Sequence, residues 1–231
     1  MKSWEQYKEQ LVHDPTKGDR TYQQLIHPTG STPEYETSGL EQIRILTELI
    51  PNIHSLKVLE YGCGDARIIR HATNFYGVDL LKEFVEKARE HNQNCYTLPD
   101  LPETNFDIVF AWAVFIHLGD SATNVALKYI YDRLSPGGMA YLQIPVYEAH
   151  KVPRDFMDVR TWSEATYIRL LDRIGFEDVE THVCKGEFDY TNVSPSHNLL
   201  QVLKKPSLPE TQDDPLVQGM LSQIDMSNWA K

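Results

Sequence analysis

Apolar and polar positions change their period once along this chain. Between residues 40 and 51, Leu40, Ile43, Leu46 (or Thr47) and Ile50 recur at helical spacing, and Pro51 closes the helix. From Lys57 onward short apolar runs alternate with helical stretches. Lys57–Tyr61 reads as a strand that breaks into Gly62-Cys63-Gly64, and Ala66–His71 as a short helix. Phe75–Val78 is a second strand ending at Asp79. Leu80–His91 is a helix with Leu81, Phe84, Val85 and Ala88 on one face. Asn94–Tyr96 is a weak third strand. Phe106–Ala111 is a strong fourth strand, apolar as one covered on both faces should be. Asp120–Leu134 is a helix, and Pro136-Gly137-Gly138 turns the chain into a fifth strand, Met139–Ile144. Thr161-Trp162-Ser163-Glu164 has the form of a capping box before a helix that ends at Ile174, with Gly175 beyond it. Phe176–Val183 and Asn198–Leu203 are two further strands.

Alternating strands and helices predict a Rossmann-like, doubly wound α/β fold. The expected sheet is seven-stranded and mostly parallel, its C-terminal strand antiparallel, with helices on both faces. Three segments follow: a polar, turn-rich N-terminal segment over 1–38, the α/β domain over 39–205, and an acidic, Pro-containing tail over 206–231. Ligands of such sheets bind at the carboxyl ends of the strands, near the switch point.

Composition narrows the classes. The net charge is −11, from 22 Lys+Arg against 33 Asp+Glu. That lowers the case for a nucleic-acid binder, whose phosphate contacts need a basic surplus. The longest apolar run, Ile108 to Ile116, is nine residues, short of the ~20 needed to span a bilayer. The polar N-terminus lacks the apolar core of a secretory signal. Cys63, Cys95 and Cys184 are odd in number and widely spaced, which fits free thiols in a reducing compartment. The expectation is a cytoplasmic protein with no metal site and no membrane partner.

The chemistry concentrates after strands one and two. Gly62 and Gly64 allow close approach of the backbone to a ligand. Asp79, 15 residues after Gly64, stands where a carboxylate accepts both ribose hydroxyls of a nucleoside. A dinucleotide enzyme wants a third glycine three residues after Gly64. Arg67 stands there and would crowd a pyrophosphate. Glu60, before the turn, suits a ligand carrying an ammonium group, either by direct contact or by fixing the loop. Both points favour S-adenosylmethionine over NAD.

These residues resemble a known family. Glu60-Tyr61-Gly62-Cys63-Gly64 is similar to motif I of the class I S-adenosylmethionine-dependent methyltransferases, and Asp79 to the acidic residue of their motif II. Phe106–Ala111 with His117-Leu118, Leu134-Ser135-Pro136-Gly137-Gly138, and Ile174-Gly175-Phe176 resemble three later motifs of small-molecule members. The resemblance spans roughly residues 38–205. It departs from the family where Ala66 replaces the usual third glycine. The first helix is also about one turn short, and no acid cleanly follows strand three. Thr97 and Leu98 stand near that place, with Asp100 a little later.

The resemblance implies S-adenosyl-L-methionine as cofactor and S-adenosyl-L-homocysteine as product. The expected cofactor residues are Glu60, Gly62, Cys63, Gly64, Asp79, Leu80, Thr97, Leu98, Ala111 and Trp112, with Tyr35 and Ser38 from the 1–38 segment, which in similar enzymes folds over the cofactor as a lid or cap. Candidate bases are His117 after strand four and His150 after strand five; each has a structural alternative as a turn or loop residue. Ala111-Trp112-Ala113-Val114 is not the Asp/Asn-Pro-Pro-aromatic sequence of amino-methylating DNA enzymes, and no paired-glutamate hairpin of the protein-arginine type is present. The expected acceptor is therefore a small molecule methylated at N or O. The alternative is a non-catalytic protein that binds the same cofactor as a sensor or partner subunit.

Overall fold

A computed structural model of the chain describes residues 32–145, 151–152, 159–160, 164–183 and 198–207. Helix α1 spans Thr32–Leu49. It crosses the expected boundary at 38/39, because Pro33 sits in a first turn whose amides need no helical partner. Strands β1 (Val58–Tyr61), β2 (Tyr76–Asp79), β3 (Cys95–Thr97), β4 (Phe106–Ala111) and β5 (Leu134–Pro145) follow, with α2 (Lys82–Ala88) and α3 (Asp120–Arg133) between them. A two-stranded ribbon, β6 (Lys151–Val152) with β7 (Val159–Arg160), precedes α4 (Glu164–Ile174), β8 (Glu177–Val183) and β9 (Asn198–Lys204).

Among the described residues, seven strands form one sheet in the order β3-β2-β1-β4-β5-β9-β8. Strands β1 to β5 are parallel. Only β9 runs against its neighbours β5 and β8, as expected for the last strand. The order reverses between β1 and β4, so the switch-point crevice lies over the carboxyl ends of these two strands.

The side-chain alternation of the strands divides the core in two. Val58, Ile108, Phe110 and Tyr141 face Leu46 and Ile50 of α1. Leu59, Val109, Ala111, Ala140 and Leu142 face Leu127 and Ile130 of α3 and Tyr167, Leu170 and Leu171 of α4. Asp107, the polar residue in β4, accepts the Lys57 backbone N–H at 2.9 Å. Lys205 Nζ donates to the carbonyls of Tyr131 and Leu134 at 3.0 and 2.8 Å, a cation at the carboxyl end of α3.

Three local expectations are corrected. Ala66–His71 is not an α-helix: turns lead into a 3-10 helix over Ile69–His71, because Ala66 is left-handed at φ 67°. Residue Leu134 belongs to β5, not α3, and the Pro-Gly-Gly turn is a register shift within β5's pairing to β4. Helix α2 is shorter than Leu80–His91 because Leu81 is extended and serves as its N-cap.

Helix α1 reaches the β1 turn because residue 39 is glycine. A Cβ there would stand 2.2 Å from the Arg67 carbonyl oxygen. Gly39→Ala gains about 1 kcal/mol of helix propensity but forces α1 off that carbonyl, at roughly 1–3 kcal/mol. A net loss of stability is expected in urea denaturation. A stabilised variant would mean that α1 does not dock this closely.

Candidate functional site

The turn after β1 is built on backbone bonds to β2. The N–H groups of Gly62 and Cys63 both donate to the Val78 carbonyl, at 2.8 and 3.0 Å. Asp79 then ties two turns together. Its Oδ2 accepts the Gly64 N–H at 2.9 Å, and its Oδ1 accepts the Leu81 N–H at 3.0 Å. Burial pushes the Asp79 carboxyl above its ordinary range; the Leu81, Gly64 and Leu80 amides pull it back.

The two glycines do different work. Gly62, at φ 76°, has Val114 seated on it, and a Cβ there would meet Val114 Cγ2 at 2.4 Å. Gly64, at φ 55°, has nothing within 4 Å of where its Cβ would be. The turn is therefore closed on one side by the loop after β4 and open at Gly64. The left-handed Ala66 costs about 1–2 kcal/mol. Arg70 braces that bend: its guanidinium donates to the Ala66 and Asp65 carbonyls at 3.2 Å each and lies 3.7 Å from the Asp65 carboxylate, both side chains buried.

Glu60 lies beneath this turn, on the α1 face of β1. It is 3% exposed. Its carboxyl accepts the Ile69 N–H, and Oε2 finds no hydrogen-bond donor among the described residues. Burial lifts its pKa well above the ordinary value, while the Arg67 guanidinium opposes that shift. Arg67 Nη1 donates to Ser38 Oγ of α1 at 2.9 Å. The amide-lined turn, the under-satisfied buried acid and a guanidinium thus lie together.

Leu80, directly after Asp79, is 60% exposed, an apolar side chain left uncovered beside a carboxylate. Thr97 Oγ1 donates to Asp100 Oδ2, so the residue at the expected place and the later acid form one polar group at the end of β3. On the α3 face, the Tyr129 ring lies tilted against Tyr61, 5.7 Å between centroids, and its hydroxyl donates to the Leu98 carbonyl at 3.3 Å. Burial raises the Tyr61 phenol to about 12, so it is a neutral donor at working pH.

The structure brings together Ser38, Glu60, Gly62, Cys63, Gly64 and Asp79, with Leu80, Thr97 and Leu98 following β2 and β3. Ala111 ends β4, buried. The Trp112 indole lies in the α1-side core, edge-on to Phe110 at 6.1 Å. Cys63 and Cys95 are free, buried thiols. His117 ends a 3-10 turn, Phe115–His117, alongside β7. The backbone of Tyr35 lies in the first turns of α1. His150, Thr161, Trp162 and Ser163 of the capping box, and the tail beyond Ser207 lie outside the described residues.

Sequence reasoning missed Gln143, which is 1% exposed and whose Oε1 accepts the Ala113 N–H at 2.7 Å. A lone glutamine inside an otherwise apolar strand was the available signal. It also missed Val114, whose contact with Gly62 no local pattern announces.

With this geometry in view, comparisons with known proteins decide the family. A family model described as a methyltransferase domain matches residues 34–181, well over half of the chain. The chain belongs to that family. It is of the class I type, whose cofactor is S-adenosylmethionine. Solved structures share the fold at low identity. A Methanosarcina mazei S-adenosylmethionine-dependent methyltransferase has a TM-score of 0.54 at 16% identity, over 66% of this chain and 93% of that one. A Thermotoga maritima methyltransferase, described as a possible histamine N-methyltransferase, has 0.54 at 18%, over 72% and 89%. The magnesium protoporphyrin IX methyltransferase of Synechocystis PCC 6803, solved with S-adenosylmethionine bound, has 0.52 at 14%, over 74% and 79%. A comparison with curated proteins finds no match.

Proposed function

We propose that this methyltransferase-family chain moves the methyl group of S-adenosylmethionine to an N or O atom of a small-molecule acceptor. The observation that carries the cofactor half is Glu60: a buried carboxylate with an under-satisfied oxygen, beneath a turn that opens at Gly64. An apolar isostere would be more stable there unless a cation completes the carboxylate. The α-ammonium of the cofactor is such a cation. Arg67 offers the complementary charge to its carboxylate. Asp79 accepts the ribose hydroxyls while keeping its two amide bonds, since a carboxylate has about four lone-pair sites. Leu80, Leu98 and the Thr97–Asp100 pair take the adenine.

The cofactor, when bound, supplies an electrophilic methyl on a sulfonium with its own leaving group. The chain has to align the acceptor and exclude water. His117 is the base offered for a hydroxyl acceptor or a protonated amine, with His150 the second candidate. A small-molecule acceptor accords with the absence of an amino-methylating DNA motif after β4 and with the acidic balance of the chain. Of the structural neighbours, one is described as a possible histamine N-methyltransferase and another as a glycopeptide N-methyltransferase, which supports the reading. The reading places the protein in the cytoplasm, in keeping with free Cys63 and Cys95; no described helix is long and apolar enough to cross a membrane.

The test follows tritium from methyl-labelled S-adenosylmethionine into the small-molecule, protein and nucleic-acid fractions of a cell extract. Label in the small-molecule fraction is expected. Label in protein or nucleic acid would overturn the acceptor class. Binding with no transfer to any fraction would favour the non-catalytic reading.

A further inference from the structure

The loop after β4 is held in an unusual shape by one side chain of β5. Ala113 is left-handed at φ 55°, a conformation that L-residues rarely adopt. Its N–H is turned away from any strand partner and donates to Gln143 Oε1 at 2.7 Å. Gln143 is 1% exposed and lies near the carboxyl end of β5, opposite Leu200 of β9. Its neighbours on the strand, Leu142 and Ile144, are fully buried apolar residues. An apolar residue at 143 would leave the Ala113 N–H without this acceptor, so the amide has a role in the shape of the loop.

The bend at Ala113 aims the next residue. Val114 Cγ2 occupies the space that a Cβ on Gly62 would need, 2.4 Å from that position. Gly62 in turn donates to Val78 at 2.8 Å, one residue before Asp79. A continuous line of contacts therefore runs from β5 through Gln143, Ala113 and Val114 to the glycine turn.

We propose that Gln143 is a positioning residue for methyl transfer: by fixing the left-handed Ala113 it seats Val114 on Gly62 and so sets the wall between the cofactor turn and the acceptor side. This rests on the cofactor reading above. Gln143 touches neither cofactor nor acceptor and acts through its bond to Ala113.

The test is calorimetric titration of S-adenosylhomocysteine into four proteins: wild type, Gln143→Leu, Ala113→Gly and the double variant, each below its melting temperature. Gln143→Leu strands the Ala113 N–H, and a weakening of about tenfold in Kd is expected, the scale of one lost buried hydrogen bond. Glycine adopts φ 55° without strain, so Ala113→Gly makes the bend less dependent on Gln143. The loss caused by Gln143→Leu should shrink to threefold or less in that background, a coupling that a double-mutant cycle reads directly. A purely structural glutamine would lower the melting temperature and leave Kd unchanged; that result overturns the proposal. Equal losses with and without Ala113→Gly overturn it too, because the effect would not pass through the bend. Failure of wild type to bind would instead overturn the cofactor reading on which the proposal stands.

Discussion

Asp79→Ala is expected to abolish the rise in melting temperature that S-adenosylhomocysteine gives the wild type. The carboxylate holds two amides, Gly64 and Leu81, from two different turns. Under the proposed function it also accepts two ribose hydroxyls. Hydrogen bonds to an ionised acceptor contribute about 1.5–3 kcal/mol each, so losing both ribose bonds weakens binding by ~100-fold or more. Asp79→Asn keeps an acceptor for Gly64 and should lose less. Because burial raises the Asp79 pKa, wild-type affinity should also fall on acidification before an exposed aspartate would protonate. Calorimetric titration checks both points. A Kd unchanged by Asp79→Ala would place the ribose elsewhere.

Glu60→Gln should move stability and binding in opposite directions. The folded-state pKa of Glu60 is raised well above 4.5, chiefly by burial. The stability linked to this group is therefore fully present below the unfolded value and is lost as pH rises through the folded one. Glutamine is isosteric, keeps an acceptor for Ile69 and does not ionise. The variant should melt higher than wild type at pH 8, by roughly 2–4 °C, the shift that about 1 kcal/mol gives a chain of this size. The gap should close as pH falls toward 4.5. Affinity for S-adenosylhomocysteine should drop by about tenfold to a hundredfold, because the ammonium loses its counter-charge. Wild-type affinity should rise with pH through the raised Glu60 value, and the variant should lose that slope. A variant that binds as tightly as wild type would make Glu60 a residue that only fixes the loop.

The strands were legible because burial on both faces leaves a short, largely apolar run. Phe106–Ala111 is the clearest case, and its bounds match. Helix α1 was read late because its first turns, through Thr37, carry no apolar stripe, and its start is set by Pro33 and by docking at Gly39. The Ala66–His71 segment looked helical by composition. Its left-handed Ala66 is enforced by Arg70 bonds that no local pattern reveals.

The glycine turn and Asp79 could be read from spacing, since both lie at strand ends. The state of Glu60 could not, because its missing partner is a property of the folded interior. Arg67 illustrates the same limit. The sequence marked it as an obstacle to a pyrophosphate, while the fold ties it to Ser38 on α1. Gln143 reaches Ala113 across 30 positions of sequence, a distance at which periodicity carries no information.

The most direct test of the central claim is a crystal structure of the protein with S-adenosylhomocysteine. The account predicts density over Gly62–Gly64, the ribose hydroxyls within ~2.5–3.0 Å of Asp79, and the ammonium on the side of Glu60. Density elsewhere, or a ribose with no contact to Asp79, would contradict it.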